Sequence, residues 1–183
     1  RGPSIPRQRE TGAVENFEGL RGRIADGTAT IAIDELRVED LDDIGWSGSP
    51  THLRNVAEQL ARMPSGDVEY FVLRADGTSV AKGGVDYAKE RGAATIWQVA
   101  TRFEFEGLGL ATRLFEHAET RARERGLSRL RLGVEVENDR ARSLYEHLGF
   151  VPVGESIDEW EAETLDGAAC LYRAICIEMA KDL

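Results

Sequence analysis

The stretch EFEGLGLATRLFEHAE, residues 104–119, places two glycines one residue apart at the start of an amphipathic pattern. Leu110, Ala111, Leu114, Phe115 and Ala118 recur at helical spacing, and Gly126 after Arg125 supplies a left-handed stop. Successive backbone N–H groups at the start of such a helix can cradle a phosphate without any cationic side chain. Yet the side chains bordering this cradle are Glu104 and Glu106, so an anion held there would meet two carboxylates.

Upstream, EYFVLRADGTSVAKGGVDYAKERGAATIWQVATRF (69–103) predicts three antiparallel strands, with turns at Ala75-Asp76-Gly77 and at 89–92. Further back, ATIAIDELRV (29–38) alternates as a strand and EDLDDIGW (39–46) suits a short helix. Ser49 is a natural N-cap and Pro50 a first helical residue, with Leu53, Val56, Ala57 and Leu60 on one apolar face. Downstream, Leu130, Leu132, Val134 and Val136 alternate with Arg131, Gly133 and Glu135 as a strand. NDRARSLYEHLGF (138–150) then predicts a helix capped by Asn138, buried through Ala141, Leu144, Tyr145 and Leu148, and ended by Gly149. Two last strands, Phe150 to Val153 and Cys170 to Met179, flank an acidic loop. The pattern predicts an α/β fold: a mixed, mostly antiparallel sheet of six to seven strands, about four helices, and a β-α-β crossover at the glycine loop.

A chain of 183 residues suits one domain. Residues 1–28 read as an N-terminal extension, partly helical or flexible, in which only Val14, Phe17, Leu20 and Ile24 suggest a helical stripe; residues 29–183 read as the domain. A formal charge of -10 argues against nucleic acid or an anionic membrane as partner, and mildly favours a cationic one. Cys170 and Cys176 fall in one strand, where a local disulfide would bend an extended segment back on itself, so both read as reduced thiols. No metal-ligand spacing joins the cysteines and histidines, and His52, His117 and His147 read as structural or surface residues. The expectation is a cytoplasmic, metal-free protein.

A GxG opening a helix fits several sites. A dinucleotide fingerprint would want Gly or Ala at Thr112 and a buried apolar strand just before the loop, where Phe103-Glu104-Phe105-Glu106 stands instead; a phosphoryl-transfer loop would want Lys followed by Ser or Thr. Glycine loop, long helix, alternating strand and then Asn138, Ala141, Tyr145, Gly149 and Phe150, in the pattern N-x-x-A-x-x-x-Y-x-x-x-G-F, resemble the GNAT superfamily of acyl-CoA-dependent N-acetyltransferases. The resemblance covers roughly residues 30 to 183 and rests on residues 97–150.

By that resemblance the fold is of GNAT type and acetyl-CoA is the acyl donor. The strand through Val99, Ala100 and Thr101 would splay from its neighbour and bind the pantetheine arm. Amides of Gly107, Leu108, Gly109, Leu110, Ala111 and Thr112 would face the pyrophosphate, with Asn138 completing the cofactor-binding set. Tyr145 matches the general acid that protonates the leaving thiolate. Relatives often carry a basic carboxylate on the strand before the glycine loop, but Ala93 to Ala100 has none, which leaves Asp86 and Glu135 for that role. The loop Gly154 to Gly167 carries six acidic side chains and Trp160, usually the mark of a solvated face. If it overhangs the acceptor cleft, it would attract a polyamine, an aminoglycoside or a basic peptide end. The resemblance implies a small-molecule or peptide amine as acceptor and, since many relatives pair, a homodimer. The alternative is a degenerate GNAT-fold module that binds CoA or a protein partner without catalysis.

Overall fold

The computed structural model describes residues 17–164 and 167–183. Seven strands form one sheet in the order β1-β2-β3-β4-β5-β7-β6: β1 Ile31–Glu35, β2 Val68–Ala75, β3 Thr78–Glu90, β4 Ala93–Thr101, β5 Arg129–Glu135, β6 Val151–Glu163 and β7 Ala169–Asp182. Every neighbouring pair is antiparallel except β4 with β5, which the crossover helix makes parallel. The α-helices among the described residues are α1 Glu18–Ala25, α2 Pro50–Leu60, α3 Leu110–Glu124 and α4 Asp139–His147. The expected mixed sheet, helix count and crossover are all present.

The β2-β3-β4 meander follows from its turns. Asp76 and Gly77 both take positive φ, 46° and 84°, which suits the tight hairpin turn that the Asp-Gly pair predicts. Ser49 caps α2 by accepting from the His52 N–H at 3.3 Å, with Pro50 at the first helical position. The expected helix at 39–46 is instead two 3-10 turns, Val38–Asp40 and Asp42–Ser47. Four of its residues are Asp or Glu, crowding like charges into a single turn, which works against a regular helix.

One apolar cluster lies on the α2 face: Leu36, Ile44, Val56, Leu60, Tyr70 and Val72. The other face carries the larger core, where Phe71, Leu73, Val85 and Ile96 of the sheet meet Leu110, Leu114, Phe115 and Ala118 of α3. Ala141, Tyr145 and Leu148 of α4 pack against that core, as do Phe17 and Ile24, while Leu20 of α1 is buried in it. Residues 17–25, read as extension, therefore dock on the same core. Val14 of the expected stripe lies outside the described residues.

The acidic stretch corrects the sequence reading. It is not a loop: β6 runs to Glu163 and pairs with β7 along its length, through Ile157↔Ile175, Glu159↔Arg173 and Trp160↔Tyr172. Glu and Asp disfavour strands in isolation, but here the partner strand supplies Arg173 for Glu159 at 3.3 Å and Tyr172 for Trp160. Leu165 and Asp166 lie outside the described residues.

The C-terminal end of α3 is pinned to the sheet through Glu69. Its carboxylate accepts from Arg121 at 2.6 and 2.9 Å, from Arg125 at 2.7 Å and from the Tyr87 hydroxyl at 2.8 Å. Burial alone would raise its pKa; the bonds from Arg121, Arg125 and Tyr87 outweigh that and hold it at about 2, against an ordinary 4.5. A depressed folded pKa gives stability that is complete above the unfolded value and is lost as pH falls through the folded one. We expect E69Q to cost about 2 kcal/mol at pH 7. Urea melts between pH 5 and pH 2 should show that the variant has lost most of the wild-type protein's decline in stability.

Candidate functional site

The site is built around a break in the sheet. β4 and β5 pair only at Ala94↔Leu130 and Thr95↔Arg131, after which the strands part. Val99 on β4 and Glu135 on β5 each lie four residues beyond the last shared rung, on the parted stretches of the two strands. On its other edge β4 carries a bulge against β3. The register shifts between Lys82 and Gly84, and Gln98 takes a φ of 51°. The Arg102 N–H donates to the Val80 carbonyl of β3 at 2.8 Å. Alternation along the strand then turns the Thr101 and Val99 N–H groups toward the cleft.

The glycine loop closes one end of this cleft. After a 3-10 turn at Phe103–Phe105, Gly107 and Gly109 take φ of 79° and 73°, and Gly109 is the N-cap of α3. Positive φ is what demands glycine here: a Cβ at either position would meet nothing within 4 Å. The N–H groups of Gly107 through Thr112 have no protein acceptor among the described residues; the first pairing is Arg113 N–H to the Gly109 carbonyl at 3.2 Å. Six consecutive donors beside open space suit the pyrophosphate of coenzyme A.

The two glutamates have partners. Glu106 accepts from Arg140 at 2.7 Å, and Glu104 lies 3.5 Å from Arg102. The loop backbone has its own cation: Arg21 of α1 donates to the Glu104 carbonyl at 2.6 Å and the Glu106 carbonyl at 3.2 Å. The carboxylates at the rim are thus matched by guanidinium groups, leaving main-chain N–H dipoles to face the cleft.

Tyr145 sits on α4 beside this core, its ring centroid 5.4 Å from Phe115 and 6.2 Å from Phe150. Its hydroxyl makes no hydrogen bond among the described residues, and burial raises its pKa above the ordinary 10, keeping the proton on oxygen. Asn138 accepts from the Ala141 N–H at 3.1 Å, so its side chain is engaged in capping α4.

The two carboxylates read as bases separate. Asp86 is buried at the rung of Thr95, at the closed end of the cleft. Arg62 at 2.8 Å and the N–H groups of Ala88 and Lys89, both at 2.8 Å, hold its carboxylate. It is a structural cap, about 13 Å along the strand from Val99 at ~3.3 Å per residue. Glu135, on the parted stretch of β5, accepts from the Tyr172 hydroxyl at 3.2 Å. On the same sheet face Ser156 links Glu178 at 2.7 Å and Asp158 at 3.1 Å, and Trp160 packs on Tyr172 at 4.8 Å. The free Cys176 thiol among them is pushed up to about 11 by burial and then by Asp158 and Glu135, so it stays protonated. Glu163 ties this hairpin to the start of α2, accepting from the Thr51 N–H at 2.9 Å and its hydroxyl at 2.6 Å.

Three polar residues on the α2 face escaped the sequence reading, Lys82, Tyr70 and Gln98, and they join His52 in one hydrogen-bonded chain. Lys82 of β3 is fully buried, with Nζ 2.8 Å from His52 Nε2 and donating to the Tyr70 hydroxyl at 2.7 Å. Tyr70 in turn donates to Gln98 Oε1, on the bulge, at 3.0 Å. His52 read as structural or surface because its partner lies 30 residues on. The available signal was a lone lysine inside the apolar run SVAKGGV.

Residues 32–150 match the model of the acetyltransferase (GNAT) family. The chain belongs to that family. A mycothiol acetyltransferase of Beutenbergia cavernae is 52% identical over 48 residues, 26% of this chain but only 16% of that protein. A putative [ribosomal protein bS18]-alanine N-acetyltransferase of Bacillus subtilis is 28% identical over 128 residues, 67% of this chain and 82% of that one. The crystal structure of the ribosomal-protein-S18-alanine N-acetyltransferase from Escherichia coli superposes with a TM-score of 0.64 at 25% identity, covering 84% of this chain and 94% of its own. The splayed strands and the glycine loop all lie within the matched residues.

A side chain at Gly109 must leave the left-handed conformation that aims the N–H groups, so G109V should weaken coenzyme A binding at least tenfold by calorimetry. E106Q removes one rim carboxylate and releases Arg140 toward the anion. Its dissociation constant should fall a fewfold at low salt, with the gain fading as salt is raised.

Proposed function

We propose that this chain is an acetyl-CoA-dependent N-acetyltransferase that delivers the acetyl group directly to a primary amine of a cationic small-molecule or peptide acceptor. The observation that carries the reading is the pair of unpaired backbone edges: the open edge of β4 beyond Thr95 and the run of free N–H groups from Gly107 to Thr112. An extended pantetheine can add to the first as a strand would, and a pyrophosphate fits the second. The thioester is then delivered near the bulge at Gln98. The relatives named for alanine N-acetylation support an amine as acceptor.

Each residue has a task derived from its place. The Val99 N–H, turned into the cleft, stabilises negative charge developing on the thioester carbonyl oxygen. Tyr145 gives its proton to the departing thiolate, whose conjugate acid is more acidic than a phenol but whose charge is costly in an apolar setting. Glu135, Asp158 and Glu178, with Trp160 and Tyr172, attract and orient a cation by Coulomb and cation–π forces. Attack is direct, since the one buried cysteine here is held as a thiol, and positioning supplies most of the acceleration.

Thiol release from acetyl-CoA across a panel of amines tests this. Turnover should be highest with polycationic acceptors and fall as ionic strength rises. Y145F should lower kcat by about a hundredfold while leaving coenzyme A binding unchanged. Binding without turnover for any amine would favour a non-catalytic GNAT-fold module, and no binding would remove the reading altogether.

A further inference from the structure

A lysine buried among apolar groups with no carboxylate opposite it is costly to keep charged. Lys82 is such a group. Its neighbours are His52 from α2 and Tyr70 from β2, with Gln98 of β4 one bond further, and no Asp or Glu pairs with it among the described residues. Burial lowers its pKa from 10.5 to about 7, and burial together with the Lys82 charge lowers that of His52 to about 4, so the imidazole is neutral near pH 7. The bonds also fit a neutral amine. Lys82 donates to Tyr70, Tyr70 donates to the bulge residue, and the remaining lone pair of Nζ can accept from His52 Nε2–H. That tautomer leaves Nδ1 of His52 as an acceptor, and no protein group bonds it among the described residues. His52 is half-buried at the first turn of α2, where Glu163 of the β6–β7 hairpin is bonded to the adjacent Thr51.

We propose that His52 and Lys82 form the proton-accepting pair for the acceptor amine, with His52 taking the proton from the ammonium and Lys82 storing it. This rests on the acetyl-transfer reading and assigns its missing base. The nitrogen of the acceptor sheds two protons as its bond to the acetyl carbon forms and the carbon–sulfur bond breaks. One passes to His52 Nδ1 while Nε2–H moves to Lys82, which becomes an ammonium; the other replaces the proton that Tyr145 gives to sulfur. Lys82 discharges to solvent by the same route. The carboxylates that orient the ammonium also hold it charged, so the proton needs a separate, neutral acceptor. Lys82 acts through His52, and Tyr70 holds it in register with the bulge.

The test has two arms on the intact protein. Isotope-edited NMR of the lysine side chains, with K82M assigning the signal, should show Lys82 titrating near pH 7 in the absence of substrate. A midpoint above about 9.5 overturns the proposal. In steady-state kinetics the wild-type kcat/KM should rise with pH to a plateau through an acid limb near pH 7. K82M keeps an apolar stem and removes only a buried charge, so it should fold. It should lose about a hundredfold in kcat with coenzyme A affinity unchanged and with that limb displaced to the pKa of the acceptor itself. H52Q should behave alike, and K82R, always charged, should not restore the limb. If the limb persists in K82M, or disappears in E135Q instead, the pair is not the base while acetyl transfer stands. If the wild-type protein releases no thiol with any amine, the transfer reading and this one fall together.

Discussion

The structure depends on a sheet that stops being a sheet halfway along two of its strands. Backbone N–H and C=O groups cannot stay dry and unpaired without a cost of about 1–3 kcal/mol each, so strands normally part only at an edge. Here β4 leaves β5 after a single pair of rungs in the middle of the seven-stranded layer. The surrounding elements hold that opening. The bulge at Gln98 bends β4 away, Glu69 anchors the far end of α3, and the left-handed glycines turn the near end so that its N–H groups face the gap. An extended ligand with amide groups and an anionic head has the hydrogen-bonding groups that the interrupted pairing lacks.

Electrostatics divide the protein into two recognition surfaces of opposite character. On one, an acidic chain presents oriented peptide dipoles suited to an anion, and its own carboxylates there are engaged by Arg102 and Arg140. Main-chain dipoles keep their orientation whatever the overall charge, which explains how a net charge of -10 is compatible with an anion cradle. On the other, carboxylates from three strands gather with two aromatic rings on a single sheet face, suited to a cation. The two surfaces therefore differ in physics, one offering main-chain dipoles and the other carboxylate charge, and do not draw on the same counter-charge.

The sequence made much of this readable, in proportion to how local the cause was. Turns at Asp76-Gly77, the Ser49-Pro50 start of α2, the glycine loop and the Asn138 cap each follow from neighbouring residues, and all are present. What could not be read depended on a partner far along the chain. The stretch after Gly154 looked like a loop because its charges had no visible counterpart, and Arg173, Tyr172 and Ile175 arrive only once β7 lies alongside. Asp86 looked available for catalysis because Arg62, which occupies it, lies on a different element. Lys82 and His52 likewise belong to separate elements that only the folded sheet brings within 2.8 Å.

The reach of Arg21 has a consequence for how the chain is partitioned. Its guanidinium grips the carbonyls of Glu104 and Glu106 from a helix that precedes the region matched to the family, which begins at residue 32. Phe17 of the same segment lies against Phe105 at 5.2 Å and under Arg102 at 4.2 Å. What looks like a dispensable leader is thus a brace on the cradle. A chain cut back to Ala29 would keep the residues of every strand and lose Arg21 and Phe17, the contacts through which this helix holds the loop.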